Sequence, residues 1–247
     1  MKQQHTSTYT TSRLLITLVL LFCVASHAQN DSIPSTVTDS ITYKLKYGLR
    51  IGGDIGKLIR SFADDDYSGF ELIADYRIKN KLYLAGEIGF EEKNTITDYL
   101  DVTTKGSYLK GGIDYNLYQN WLDMDNMIFS GFRLGAASFN HTRNSFQVYS
   151  TDQYWQPQLI DSENRKFSNL TALWIELIIG IKAELFNNLY LGLNVQLKGL
   201  LKETEPSGFE NLYIPGFNKT YDSSGIGVGY GYTLSYRIPL YKKDKKN

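Results

Sequence analysis

The sequence predicts an all-β protein: an eight-stranded antiparallel up-and-down transmembrane β-barrel with short periplasmic turns and four longer extracellular loops. Three observations support this fold. A two-residue alternation recurs eight times between Leu45 and Tyr241, short and long connections alternate, and a secretion signal precedes the first strand. Successive side chains of a strand point to opposite faces, so the alternation gives each strand one apolar face and one polar face. A soluble barrel or sandwich secreted to the periplasm shows the same alternation and is the alternative fold.

Residues 1–28 are predicted to be a signal peptide. The apolar run 14–24 is about half as long as the roughly 20 residues that a spanning helix needs, and small residues precede a cleavage site near Ala28. Residues 29–43 are polar, and we expect them to form a flexible periplasmic leader. Cleavage would remove Cys23, the only cysteine, so the mature chain is predicted to contain no disulfide and no thiolate.

The alternation places eight strands in a barrel domain that covers residues 44–241. The last strand illustrates the pattern, because apolar residues from Ile226 to Ile238 alternate with glycine, threonine, serine and arginine. Residues 242–247 are predicted to be a basic periplasmic tail. The predicted strand ranges are 44–58, 67–79, 81–93, 104–118, 126–141, 168–186, 188–203 and 224–241.

The connections between these strands alternate in length. The short ones are expected at 79–81, 119–125 and 187–188. With the N-terminus in the periplasm, all three lie on the periplasmic side and the longer connections lie outside, as outer-membrane barrels require. The longer connections are predicted at 59–66, 94–103, 142–167 and 204–223.

The composition limits the partners. The chain has 26 basic and 26 acidic residues, so no net charge favours binding to nucleic acid. Its 19 tyrosines, 12 phenylalanines and 3 tryptophans fit a barrel that needs aromatic side chains at both membrane interfaces. We expect outer-membrane lipid and, during insertion, the barrel-assembly machinery as partners, a monomeric state, and no cofactor or metal.

Twelve charged residues are predicted to face the lumen and to form a polar network or line a pore. An eight-stranded barrel is just wide enough for side chains to fill, and an unpaired buried charge is costly, so we expect ion pairs that plug the lumen. Glycines on the same face, such as Gly227 and Gly229, leave space. A narrow pore for small solutes is therefore the alternative. The twelve are Arg50, Asp54, Asp75, Arg77, Glu87, Lys110, Asp114, Arg133, Glu176, Lys182, Lys198 and Arg237.

The long loops are rich in aromatic residues, which often anchor recognition sites. We expect a possible extracellular ligand or protein to bind through loops 142–167 and 204–223; packing of these residues into a cap, or their location in the aromatic girdle, is the alternative. Loop 59–66 carries three consecutive aspartates, interpreted as a solvated acidic tip and not a Ca²⁺ site. The recognition candidates are Tyr149, Tyr154, Trp155, Tyr213, Phe217 and Tyr221.

An enzymatic function has little support in the sequence. His141 is the one histidine outside the predicted signal peptide, with Ser138 and Ser145 nearby. A nucleophile needs a base within hydrogen-bond reach and an acid that orients the base, and no such local signature occurs. A lipid-modifying outer-membrane enzyme using His141 is kept as an alternative, and the chain is predicted not to be an enzyme.

Four segments, 64–71, 151–155, 183–190 and 210–217, resemble an uncharacterised family (a domain of unknown function) of small outer-membrane β-barrel proteins. The resemblance spans roughly residues 44–243. It implies the barrel fold and the outer membrane of a Gram-negative bacterium after cleavage near Ala28, and it implies no active site. We therefore expect a structural or surface-recognition protein with a largely plugged lumen.

Overall fold

The computed structural model describes residues 44–121, 124–147, 160–161, 163–218 and 224–244. The predicted signal peptide and leader lie outside the described residues, as do Tyr149, Tyr154, Trp155 and Tyr221. Within the described part of the chain, no helix is long and apolar enough to cross a membrane. The elements are β1 (Lys44–Asp54), α1 (Ile55–Ala63), β2 (Tyr67–Arg77), β3 (Leu82–Ile96), β4 (Leu100–Trp121), β5 (Met124–Gln147), β6 (Ile160–Asp161), β7 (Arg165–Phe186), β8 (Leu189–Glu203) and β9 (Ile226–Asp244).

The eight long strands form a closed antiparallel ring in the order β4-β3-β2-β1-β9-β8-β7-β5, with β5 paired back to β4. The first and last strands close the ring, and their pairing runs from Lys44 opposite Asp244 to Asp54 opposite Thr233. The two-residue strand β6 pairs with the end of β5. The predicted all-β class, the strand count and the up-and-down order are confirmed.

The two faces of the ring differ in chemistry. The outer face is apolar and exposed, as at Leu177, Ile179 and Val195. The inner face carries buried charged side chains, among them Lys110 and Glu176. A soluble sandwich buries its apolar faces, so this inverted distribution excludes the alternative fold and is the arrangement of a barrel surrounded by lipid.

The predicted first strand, 44–58, is too long, and the connection predicted at 59–66 begins at residue 55 and contains a helix. The strand β1 ends at Asp54, whose side chain caps a helix by accepting hydrogen bonds from the backbone N–H groups of Gly56 at 2.8 Å and Lys57 at 3.2 Å. The helix α1 follows because its apolar residues Ile55, Leu58, Ile59 and Phe62 recur with helical spacing.

The predicted long loop 94–103 is also wrong. Strands β3 and β4 continue to Ile96 and from Leu100, and a tight turn at 97–99 joins them; the backbone N–H of Thr97 donates to the carbonyl of Leu100 at 2.8 Å. Strands β4, β5 and β7 contain 22, 24 and 22 residues. A membrane-crossing strand needs about 9–11 residues, so these strands are much longer than the apolar band. They extend beyond it at the end of the ring opposite the short turns, which we call the loop end.

Candidate functional site: the barrel interior and its mouth

The interior of the ring holds a chain of ion pairs that crosses from wall to wall. Lys182 on β7 contacts Asp75 on β2 at 2.7 Å, and these strands lie opposite each other in the ring. The other oxygen of Asp75 accepts a hydrogen bond from Nε of Arg50 at 2.6 Å. Asp114 pairs with Lys182 at 3.6 Å and with Arg133 at 2.8 Å.

The chain continues toward the loop end. Arg133 contacts Glu87 at 3.3 Å, and Glu87 contacts Lys110 at 2.7 Å. Lys110 also lies 3.5 Å from Glu71 and 3.7 Å from Glu176. Because most of these side chains contact two or more charged partners, the pairs form one connected structure, which we call the central network.

The central network is balanced and leaves little space. Among the described residues it joins six cationic and six anionic side chains, and the cavity left beside it has a volume of about 30 Å³. That volume suits one or two water molecules. The cations are Arg50, Lys57, Lys110, Arg133, Lys182 and Lys198, and the anions are Glu71, Asp75, Glu87, Glu91, Asp114 and Glu176.

A second set of ion pairs, the end network, closes the end of the ring that carries the short turns. Asp125 accepts hydrogen bonds from Arg77 on β2 at 3.1 Å and from Arg237 on β9. Arg237 also contacts Glu184 at 3.3 Å, and Glu184 contacts Lys46 at 3.4 Å. The end network therefore ties the last strand of the ring to β2, β5 and β7.

At the loop end, residues 213–218 fold back into the mouth; we call them the inserted turn. Ile214 and Asn218 form a β-bridge, and Gly216 adopts φ +78° in the left-handed region. A Cβ atom on Gly216 would lie 2.6 Å from Cγ of Tyr108, so glycine is required both by the backbone conformation and by the close approach. The carbonyl of Gly216 accepts a hydrogen bond from Lys198 at 2.6 Å, which attaches the inserted turn to β8.

Glu91 on β3 anchors the inserted turn to the wall. Its fully buried carboxylate accepts hydrogen bonds from the hydroxyl of Tyr213 at 2.7 Å and from the backbone N–H of Gly216 at 2.8 Å. It also contacts Lys57 of α1 at 2.8 Å and accepts from the hydroxyl of Tyr67 at 3.1 Å. One carboxylate thus joins the helix, two strands and the inserted turn.

Charge and burial act on the titration of these groups. Burial lowers the pKa of Lys57, but Glu91 and Glu71 raise it by more, so the net pKa is above the usual lysine value. Burial and the negative charge of Glu91 both raise the pKa of Tyr213 well above that of a free phenol. Lys57 therefore stays charged and Tyr213 stays protonated at neutral pH.

Aromatic side chains fill the space between the inserted turn and the opposite wall. Phe217 packs edge-on against Trp174, with ring centroids 5.9 Å apart, and both side chains are fully buried. The lumen glycines make room for them: a Cβ on Gly135 would lie 2.3 Å from the ring of Trp174, and one on Gly227 would lie 3.0 Å from the ring of Phe217. These two glycines therefore accommodate side chains and do not border an open channel.

Tyr213 and Phe217 correct the sequence prediction. A recognition role requires both side chains to be exposed, but they are 2% and 0% exposed, in agreement with the alternative that these residues pack into a cap. Pro215 and Gly216 turn the chain back on itself, and the aromatic rings lose water contact by entering the mouth. Residues 213–217 therefore line the mouth of the barrel, whereas most of residues 204–210 are exposed.

Residues 6–243 match the family described as Domain of unknown function (DUF6048). The chain belongs to this family. The resemblance to an uncharacterised family is thereby confirmed, and no curated protein matches the chain. Among solved structures, the chain is similar to Neisserial surface protein A (NspA), with 10% identity, a TM-score of 0.39, and coverage of 78% of this chain and 95% of that one. It is also similar to Ail, the attachment invasion locus protein of Yersinia pestis, with 8% identity, a TM-score of 0.38, and coverage of 79% and 99%.

In this DUF6048 chain, His141 is a buried bridge. Its Nδ1 lies 2.8 Å from the hydroxyl of Thr104 and its Nε2 lies 2.8 Å from Oδ1 of Asn211. The amide of Asn211 in turn donates to Glu203 at 2.7 Å. Ser138, which the enzymatic alternative paired with His141, faces the outer surface, whereas the imidazole is fully buried. The two side chains therefore lie on opposite faces of β5.

The acidic tip lies just after α1. Asp64 pairs with Arg60 at 3.1 Å and accepts a hydrogen bond from the backbone N–H of Asp66 at 3.2 Å. Among the described residues, no group of three or more histidine, cysteine, aspartate or glutamate side chains is placed to hold a metal ion. The tip is thus organised by internal hydrogen bonds.

The structure assigns places to all twelve predicted lumen residues of the DUF6048 chain. Nine belong to the central network and Arg77 and Arg237 to the end network, whereas Asp54 caps α1. The other three members of the central network are Glu71, on the inner face of β2, and Lys57 and Glu91, which the sequence prediction missed. The spacing of α1 was a usable signal for Lys57, and continuation of the β3 alternation past Glu87 and Gly89 was a usable signal for Glu91.

Proposed function

We propose that the protein is an outer-membrane β-barrel with a closed lumen, which serves a structural or surface role and not the passage of solutes. The observation that carries this proposal is the central network together with the inserted turn. Charged side chains from opposite walls meet in the middle, and the mouth above them is filled by a turn of the chain itself. The geometry favours this reading over a narrow pore, because the cavity beside the central network has a volume of only about 30 Å³.

The proposed location follows from the outer surface. Exposed leucine, isoleucine, valine and phenylalanine side chains surround the ring, and an apolar band of this kind is stable only against lipid. At the end with the short turns, exposed aromatic residues include Tyr115, Phe186, Tyr236 and Tyr241. Such residues are favoured at the boundary between lipid and water. A signal peptide ending near Ala28 would direct the chain to the periplasm before insertion.

We propose no catalytic role. His141 is the only histidine among the described residues, and both of its ring nitrogens are engaged inside the protein. A Thr104–His141–Asn211 arrangement has the hydrogen-bond distances of a nucleophile, base and orienting group. However, Thr104 and His141 are both fully buried, which leaves a substrate without access. The bridge is better explained as the bond that fastens residue 211, and the chain leading to the inserted turn, to β4 and β5.

Recognition of an external ligand or protein is assigned to the connection between β5 and β7, within 142–167. This assignment is supported by the extension of β4, β5 and β7 beyond the length needed for crossing and by the inward fold of residues 213–218. A strain that lacks the protein should regain envelope integrity with the full chain. A variant in which residues 148–159 are replaced by a short Gly-Ser linker should restore envelope integrity but not the binding of an extracellular ligand or protein at the cell surface. If this variant and the full chain behave alike in both assays, the assignment is contradicted.

Planar-bilayer conductance tests the closed lumen. The mature chain is refolded, its folding is verified by heat-shifted gel mobility, and single insertions are recorded; we expect no steady current steps. A positive control removes both obstacles by replacing residues 212–218 with a Gly-Ser linker and introducing Trp174→Ala and Lys110→Ala; this variant is expected to conduct. Steady current steps from the unmodified chain that change in Arg133→Ala would overturn the proposal in favour of a pore.

A further inference from the structure

The wall of the barrel has a gap at its seam. Strand β1 is only 11 residues long, and its last pairings are Gly53 opposite Leu72 of β2 and Asp54 opposite Thr233 of β9. Above this level, residues 67–71 of β2 and 226–232 of β9 have no strand between them in the described part of the chain. The seam is therefore open for several residues in a ring that is otherwise closed by strand pairing.

Helix α1 covers this gap from the loop end. Ser61 links it to the free edge of β2, because its hydroxyl accepts a hydrogen bond from the backbone N–H of Gly69 at 2.7 Å and lies 3.1 Å from the carbonyl oxygen of Gly69. Toward β9 no hydrogen bond joins the helix to the strand among the described residues. The helix is therefore fastened on one side of the gap and apposed on the other.

A cavity of about 510 Å³ lies between α1 and β9. This is within the range of roughly 300–1,000 Å³ that is typical of ligand sites. The apolar part of its lining comes from Ile55 and Ile59 on the helix and from Val228, Tyr230 and Tyr232 on the strand. The polar part of its lining includes Asp54, Lys57 and Arg60.

The cavity opens toward the lipid-facing surface. Val228 is 51% exposed and Tyr230 is 71% exposed, and both belong to the outward series of β9 that runs to Leu240. Tyr230 and Tyr232 also border a groove on the outer wall whose other lining includes Ile179 and Val195. The same two tyrosines thus separate the cavity from the outer wall; with the proposed outer-membrane location the bilayer covers this wall, so hydrocarbon chains are the molecules that reach the entrance.

We propose that this cavity is a binding site for one acyl chain of an outer-membrane lipid, with the lipid phosphate held at Arg60. The guanidinium of Arg60 lies 4.0 Å from the ring centroid of Tyr67 and is hydrogen-bonded to Asp64, which fixes its position at the rim. Its side chain is 39% exposed and pairs with one carboxylate, that of Asp64, whereas Lys57 is 17% exposed and contacts the carboxylates of both Glu71 and Glu91. The bound acyl chain would cover Ile59 and Val228, whose side chains are otherwise exposed beside the gap.

Photo-crosslinking in proteoliposomes tests the site. The probe is phosphatidylglycerol with a diazirine in the middle of one acyl chain, and peptide mapping locates the label. We expect labelling concentrated on 55–60 and 228–232, and Ile59→Ser is expected to reduce it about fivefold by removing apolar contact area. Phe62→Ser is the matched control, because Phe62 lies on the same helix, is 91% exposed and does not line the cavity.

Two further experiments distinguish binding of the acyl chain from binding of the lipid headgroup. Arg60→Gln is expected to lower labelling by phosphatidylglycerol and to leave labelling by a diazirine-bearing diacylglycerol unchanged. Every variant is checked for heat-shifted mobility, so that loss of label in an unfolded barrel is not counted. Uniform labelling around the barrel, with Leu134 and Leu177 labelled as strongly as Tyr230 and no effect of Ile59→Ser, would overturn the proposal.

Discussion

Glu91 illustrates how a single buried carboxylate sets the structure of the mouth. It balances the charge of Lys57 and receives the hydroxyl of Tyr213 and the backbone N–H of Gly216. A carboxylate accepts but does not donate, so all of its oxygens match the donors that surround it. Removing its charge while keeping its shape is therefore the sharpest residue-level test of the inserted turn.

We predict that Glu91→Gln destabilises the protein by about 3 kcal/mol and loosens the inserted turn, because the amide leaves Lys57 partly uncompensated and turns one donor toward other donors. Urea unfolding in detergent measures the stability, and hydrogen exchange of the Gly216 amide measures the turn. Glu92→Gln is the control: Glu92 is the neighbouring residue and pairs at the surface with Lys105, so its loss should cost less than about 1 kcal/mol. Equal effects of the two substitutions would contradict the assigned role.

Gly216 provides a second residue-level prediction. Gly216→Ala meets both a left-handed backbone and the ring of Tyr108, whereas Gly208→Ala meets only a left-handed backbone at φ +98° with no atom within 4 Å of the added carbon. The conformational cost alone is roughly 1–3 kcal/mol. Gly216→Ala should therefore be clearly more destabilising than Gly208→Ala in the same unfolding experiment. Equal losses would show that the inserted turn tolerates displacement from Tyr108.

The two-residue alternation of the sequence predicted most of the inner-face residues of the candidate site. Because strand residues alternate, it was enough to fix one apolar residue in order to place Asp75 or Lys182 on the inner face. Parity does not say which residues meet across the ring, because that depends on register and strand tilt. Asp75 and Lys182 are 107 positions apart in the sequence, and only the structure shows that their side chains are in contact.

At the scale of elements, α1 is the main departure from the sequence prediction. Ile55 fits the two-residue period of β1 as well as the helical period of 55–63, so the alternation carried the predicted strand past its true end. The cap at Asp54 decides between the two, since its carboxylate satisfies backbone donors that a strand would pair elsewhere. Because one residue can fit both the two-residue period of a strand and the 3.6-residue period of a helix, the ends of strands are the least certain part of such a prediction.

The contacts of α1 and the inserted turn predict a pH dependence. Both Lys57 and Tyr213 have pKa values above their ordinary values, so the folded state holds these protons more tightly than the unfolded state. Their contribution is complete below the unfolded pKa values of about 10 and is lost as the pH rises through the higher folded values. We expect limited proteolysis within 204–218 to stay slow up to about pH 10 and to accelerate above it.

Tyr213→Phe removes one of the two titrations and supplies the control. The alkaline acceleration of proteolysis should become shallower in this variant, because Lys57 is then the only one of these two groups that still releases a proton. The variant should also be less protected at neutral pH, since the buried carboxylate of Glu91 loses one donor. An unchanged alkaline profile would show that the transition belongs to other groups.

For the whole molecule, the balance of charges explains how a polar interior coexists with an apolar exterior. The chain has equal numbers of acidic and basic residues, and the central network repeats this balance inside the ring. Burial of ions is costly unless each is paired, so the inner wall can be highly charged only if strands on opposite sides supply matching partners. The composition indicated equal numbers of acidic and basic residues, and the closure of the ring determines which strands supply the partners of each ion pair.

The pair across the full width of the ring gives the last prediction. Asp75→Asn and Lys182→Met should each destabilise the barrel by about 3–5 kcal/mol, because each leaves a partner charge buried among fewer counter-charges. The double variant should lose less than the sum, and the difference measures coupling between β2 and β7 through the lumen. Urea unfolding of all four proteins, followed by heat-shifted mobility, supplies the cycle. The same cycle on Glu92 and Lys105, a surface pair at 3.0 Å, should give a coupling below about 1 kcal/mol. If the two cycles agree, the cross-lumen contact does not hold the walls together; a larger coupling for Asp75 and Lys182 means that the closed interior is itself what stabilises the ring.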